Sequence, residues 1–306
     1  MFPKWLQRRH NLANQKLTLL NGSSIKYRQM KIPCCRTCNG IWLSKVENRV
    51  KSASKSPTRW RELADDDLFR WASKIMYGNI YREAFLAMDQ ADPAAGMIVD
   101  EEFVHELRTV HLFLQGVRAP IEFQHFRQGS IFRAELVDPD PDHPDEHFWF
   151  YDNPFRLLLA MRTGPVGAIV ALQDNGVIAE IFQPVNDTLA NQKLTHMQFM
   201  ELAAQLAYIR VSLNRTAKYV MVQGAESIQV IPLPLAGMSG LPLFEEAMLS
   251  SYATLLSHMT GWPLEEVMPG DDQVISFFEP GKQIYPLAGL MNPTSGLFRA
   301  RSDTGS

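Results

Sequence analysis

Cys35 and Cys38, three positions apart, are the residues of this chain with the most chemistry to offer. Two thiols at that spacing can grip one metal ion from a single tight turn. Asn39 follows directly, and a helix opening there would let its side chain face a second ion. Ser44, Lys45 and Glu47 continue the polar pattern along that helix. Cys34 adjoins the pair without motif spacing and reads as packing. A disulfide framework would spread its cysteines, whereas these three fall within five positions. A reducing compartment and a metal role fit better.

The segment around the cysteines is strongly basic. Residues 1–61 hold 14 Lys or Arg and a single acid, Glu47, while the rest holds 16 bases against 32 acids. A basic end on an acidic body predicts a polyanion contact confined to the N-terminus, with nucleic acid, DNA first, as the partner. Arg8, Arg9, Lys16, Lys26, Arg28, Lys31 and Arg36 are the candidate phosphate contacts. The same charge run also reads as a solvated arm or a docking face for the acidic body.

The elements that must position these residues follow from pattern. Leu17–Leu20 and Ile25–Tyr27 flank Asn21-Gly22, a hairpin signal. Ile41, Trp42, Val46 and Val50 recur at helical spacing, which predicts a helix over about 39–52. Residues 51–60 read as a linker. Helices follow over 61–90, with Leu68, Trp71, Ala72, Ile75 and Met76 on one face, and over 100–117. From 120 onward the runs 121–126, 130–137, 147–151, 157–162, 166–172 and 177–182 read as strands, the last two joined by Asp174-Asn175-Gly176. Thr195-x-x-Gln198 is a capping box that opens a helix through about 213, and 243–260 is a further amphipathic helix. The expected class is α+β. Residues 1–55 form a basic module, 61–290 an α+β domain with an antiparallel sheet and flanking helices, and 291–306 a flexible tail. The heptapeptide LANQKLT occurs twice, at 12–18 and 189–195, with unlike flanks, so no repeat fold is inferred.

Over about residues 1–50 the chain resembles the second half of an HNH nuclease module. Met1-Phe2-Pro3-Lys4-Trp5-Leu6 is similar to the run after the family's general-base His. Asn21-Gly22 sits in the intervening hairpin, Cys35-x-x-Cys38-Asn39 resembles the second zinc pair and helix ligand, and Ser44-Lys45 with Glu47 match later polar positions. The resemblance implies a small ββα unit that hydrolyses phosphodiesters. Asn39 would help hold a catalytic Mg2+-type ion, and Cys35 and Cys38 would serve a structural zinc. The departures are specific. The general-base His, its preceding acid and the first C-x-x-C pair would stand ahead of Met1, and Met30 occupies the place of the orienting Asn. Asn21 could replace it only by another geometry. As written, the chain is then a truncated nuclease or a degenerate module. The alternative is a non-catalytic module that binds nucleic acid or protein.

Other chemistries find no motif. There is no Walker A loop, no G-x-S-x-G, no H-E-x-x-H and no dinucleotide fingerprint. Asp138–His147 has metal-ligand residue types, but its prolines predict an extended loop. No apolar run approaches the roughly 18–20 residues of a membrane span. The N-terminus carries no apolar core of signal-peptide length. The expectation is a cytoplasmic protein without a membrane partner, with homo-oligomerisation left open.

Overall fold

The computed structural model describes residues 2–84, 86–89, 91–98, 101–123, 127–138, 143–189, 191–224, 226–233, 243–245, 248–270 and 273–278, with the backbone alone at 93, 101–106, 144 and 145. The chain folds as two compact units, Met1–His125 with Val220–Ile231, and Phe126–Tyr219 with Pro232–Ser306. The class is mixed α+β.

The first unit opens with α1 (Lys4–Arg9), which begins just after Pro3 and buries Leu6. β1 (Lys16–Thr18) and β2 (Ser24–Lys26) then form the expected antiparallel hairpin, with Leu17 opposite Ile25. Gly22 takes φ 74°, which the turn requires and a side chain would resist. A π-helical turn, Cys38–Trp42, runs into α2 (Leu43–Ala53), whose Val46, Val50 and Ala53 are buried. The expected linker over 51–60 is instead largely helix. α2 continues to Ala53, and α3 (Pro57–Glu62) follows at once with Pro57 in its first turn. The linker reading failed because Ser and Lys dominate the local composition, whereas Trp60, only 2% exposed, anchors the turn. Pro57 also suits a helix start, where its missing N–H goes unneeded.

α4 (Asp65–Glu83) buries Leu68, Trp71, Ala72, Ile75 and Met76, the face read from the sequence. Its first turn carries Asp65, Asp66 and Asp67, which suit the helix dipole. Arg49 of α2 forks onto Asp67, Nε to Oδ2 at 2.6 Å and Nη2 to Oδ1 at 2.5 Å. That bidentate pair ties α2 to α4. α5 (Glu101–Gln115) packs Phe113 against Phe69 at 5.8 Å between ring centroids. β3 (Ile121–Phe123) ends this stretch.

The second unit is built on a five-stranded sheet. β4 (Gly129–Leu136), β5 (Phe148–Asn153), β6 (Leu158–Thr163), β7 (Val166–Leu172) and β8 (Lys193–Leu194) lie in the order β5-β6-β7-β4-β8. All neighbours are antiparallel except β8, which runs parallel to β4. β6 and β7 are buried along their whole length. The expected strand over 177–182 is instead α6 (Val177–Ile181), followed by α7 (Gln183–Leu189). Asp174 decides this. Its carboxylate accepts the backbone N–H groups of Gly176 at 3.2 Å and Ile178 at 3.0 Å, and the hydroxyl of Ser130 at 2.5 Å. A carboxylate on the first free N–H groups starts a helix where apolar alternation alone suggested a strand.

α8 (His196–Ser212) opens with the capping box. Thr195 Oγ1 accepts the Gln198 N–H at 3.2 Å, and Gln198 Oε1 accepts the Thr195 N–H at 2.9 Å. The helix packs on the sheet so closely that a Cβ at Gly167 would come 2.6 Å from the Phe199 ring. After α8 the chain forms β9 (Tyr219–Gln223) and β10 (Ile228–Pro232). β10 returns to the first unit and pairs parallel with β3, Val230 opposite Phe123. The resulting sheet order is β3-β10-β9. Finally α9 (Leu249–Thr260) packs on α8, and α10 (Leu264–Val267) follows. The helix expected from 243 begins only at 249, and Phe244 makes an isolated bridge to Leu213. In both copies of LANQKLT the Lys-Leu pair is in a strand, β1 and β8. The expected flexible tail and residues 139–142 of the Pro-Asp run lie outside the described residues.

Candidate polyanion groove

The first unit carries a cavity of about 970 Å³ whose walls come from four places in the chain. Residues 2–5 and 7–9 at α1 supply one wall, and Arg28, Met30 and Lys31 after the hairpin another. Asn39, Glu47, Asn48 and Lys51 line it from the π-helical turn and α2. Lys55 and Lys74 complete it. Eight of the lining residues are Lys or Arg, and Glu47 is the single acid among them. The Lys74 ammonium contacts the Glu47 carboxylate, so the acid of the wall is paired.

The wall is stiffened locally. The Arg9 guanidinium lies 4.7 Å over the Trp5 ring and donates to Ser54 Oγ at 2.8 Å. Trp5 in turn stacks with Trp71 of α4 at 6.4 Å. Lys74 is 8% exposed, and burial pushes its ammonium down to about 8. The other lining bases Lys4, Arg8, Arg28, Lys31, Lys51 and Lys55 are exposed. A concave surface with one sign of charge focuses its field and draws counter-ions of the other sign.

Of the seven phosphate contacts read from the sequence, Arg8, Arg9, Arg28 and Lys31 line the groove together with Asn39. Lys16 and Lys26 face one another across the hairpin register, and neither they nor Arg36 are lining residues. Sequence reading missed Lys4, Lys51, Lys55 and Lys74. Asn48 and Lys51 share one face of α2 and Lys55 follows in the turn after it, a signal hidden by the linker composition of 51–60. Lys74 among the apolar residues of α4 was the other available clue. Asn21 is committed to its turn. Its Oδ1 accepts from Ser23 N at 3.1 Å and Ser23 Oγ at 2.6 Å, and its Nδ2 donates to the Ala87 carbonyl at 3.2 Å.

Cys35 and Cys38 sit at the helical turn before α2, both as free thiols. The Cys38 N–H donates to Cys35 Sγ at 3.2 Å, and the Asn39 N–H donates to the Cys35 carbonyl at 3.0 Å. The hydrogen bond between the two thiols draws Cys35 below its ordinary value and lifts Cys38 above it. Among the described residues no three His, Cys, Asp or Glu are gathered as a metal ion would need. Two thiols are half of the four ligands that a tetrahedral zinc site needs.

The second unit holds a different group of titratable residues. Glu201 of α8 is 1% exposed, accepts from Ser276 Oγ at 2.7 Å and from Phe277 N at 2.6 Å, and burial pushes its carboxyl up to about 7. No family model, curated protein or solved structure matches this chain. No described helix is long and apolar enough to cross a membrane.

Proposed function

We propose that the first unit binds the phosphate backbone of nucleic acid along the groove, with DNA as the first polymer to test. The observation that carries this reading is the lining itself, eight bases around a single acid that Lys74 already neutralises. Exposed lysines and arginines would meet phosphates and displace their condensed counter-ions, so affinity would fall steeply with salt. Contacts of this kind fix position and orientation rather than sequence. Binding of a labelled oligonucleotide across a salt series tests this. Arg8→Glu with Lys31→Glu should weaken binding and reduce the slope of log affinity against log salt by about 2. Lys16→Glu with Lys26→Glu, on the hairpin outside the lining, should change it far less. Equal losses from the two pairs would reduce the groove to general charge and overturn the reading.

A second reading is HNH-type hydrolysis of the bound backbone. What favours it is that Pro3, Trp5, Asn39 and Glu47, residues from separate parts of the resemblance, line one cavity. Asn39 would help hold a Mg2+-type ion, which polarises a phosphoryl oxygen when bound. The family's general-base His has no match among residues 1–50. Plasmid nicking in Mg2+ should be lost in Asn39→Ala, with oligonucleotide binding retained. Nicking unaffected by Asn39→Ala would remove Asn39 from the reaction.

A further inference from the structure

We propose that Cys35 and Cys38 are a reversible dithiol pair, oxidised by small-molecule disulfides, and that their oxidation state sets the affinity of the groove. The pair alone does not close a zinc site, and its geometry suits a disulfide. The Asn39-to-Cys35 hydrogen bond closes a helical turn over the pair. Residues three apart on such a turn have Cα atoms about 5 Å apart, within the window of about 4.4–6.8 Å that a disulfide spans. The Cys38 N–H is aimed at Cys35 Sγ at 3.2 Å, and Cys35 is exposed while Cys38 is half-buried. Cys35 is thus the accessible sulfur, with a donor to hold it in place, and Cys38 stands behind it as the resolving one.

The exchange balances without any other reagent. The Cys35 thiolate attacks one sulfur of an oxidised glutathione molecule and releases one glutathione thiolate, leaving a mixed disulfide. The Cys38 thiolate then attacks Cys35 Sγ and releases the second. Two protein thiols lose two electrons and two protons, and the small disulfide becomes two thiols. The coupling to the groove, which rests on the polyanion reading above, comes from sequence neighbours. Met30 and Lys31 precede the cysteines, Asn39 follows them, and all three line the cavity. Drawing the two sulfurs together to bonding distance tightens the turn between those residues.

The full chain, incubated in glutathione buffers of stepped redox ratio, quenched with an alkylating agent and mapped by peptide mass, tests the pair directly. The expected result is joint protection of Cys35 and Cys38, reversed by a reducing dithiol, with Cys34 alkylated throughout. Cys38→Ser should instead accumulate glutathione on Cys35. Alkylation of all three thiols at every ratio, pairing through Cys34, or one zinc per chain that blocks oxidation until it is chelated would overturn the proposal. Oligonucleotide binding by the fully reduced and fully oxidised forms tests the coupling. A change of about fivefold in Kd, the worth of a single hydrogen bond, is expected. Equal affinity of the two forms overturns the coupling. Failure of both forms to bind overturns the groove reading and leaves the thiol result standing.

Discussion

Lys74 is the only lysine of α4, and it sits among buried aromatic and aliphatic neighbours against Glu47. Burial brings its ammonium down to about 8, so it titrates well before an ordinary lysine. Its charge state reaches stability and binding with opposite sign. Between about pH 8 and 10.5 the unfolded chain holds the extra proton, so stability should rise with pH across that window. Binding should move the other way. As Lys74 loses its proton the Glu47 carboxylate is left facing the polyanion, so affinity should fall between about pH 7 and 9. In Lys74→Met that fall should disappear and affinity should be weaker throughout. Oligonucleotide titration over this pH range checks both, and a wild-type affinity flat across it would sink the assignment. The residue was hard to see in the sequence because one lysine in an apolar helix face is ordinarily a solvated flank.

The elements separate what local pattern can and cannot encode. The hairpin at Asn21-Gly22, the buried face of α4 and the Thr195 capping box are short-range signals, and each forms where the sequence places it. Residues 177–182 carry apolar side chains compatible with either period, and the choice was made by Asp174 and Ser130, 44 positions apart. Nothing within the segment announces that pairing. The basic groove was legible as a charge excess but not as a lining, because the residues that face one another come from four separate stretches. α8 carries its own measurable consequence through Glu201, which holds Ser276 and Phe277 by two short hydrogen bonds. Its carboxyl, lifted from 4.5 to about 7, keeps its proton when folded over a range where the unfolded chain has lost it. Stability should therefore be greatest below about pH 4.5 for this group and decline as pH rises to about 7, by on the order of 3 kcal/mol in total. Melting temperatures between pH 4.5 and 8 should show a decline in the parent chain that Glu201→Gln flattens. An unchanged slope in the variant would assign the dependence elsewhere.

At the scale of the molecule, charge follows the two units. The first holds 19 bases and 14 acids and the second 11 bases and 19 acids, so only the first should attract a polyanion. The first unit is also discontinuous in sequence, completed by β10 on β3. No local reading could find that parallel pairing, since its strands are more than a hundred positions apart and each is short. Val230, fully buried on β10, should accept Asp only by releasing the strand, since an unpaired buried charge costs several kcal/mol. Hydrogen exchange at Ile121–Phe123 should then accelerate in Val230→Asp. Protection equal to the parent's would mean that β3 does not depend on β10. The same pairing imposes an order on synthesis. The residues of the groove leave the ribosome before those of the second unit, yet β3 waits for Ile228, about 5 to 20 seconds later at ordinary rates of chain growth. The unit that is translated first is thus closed only after most of the other has been made.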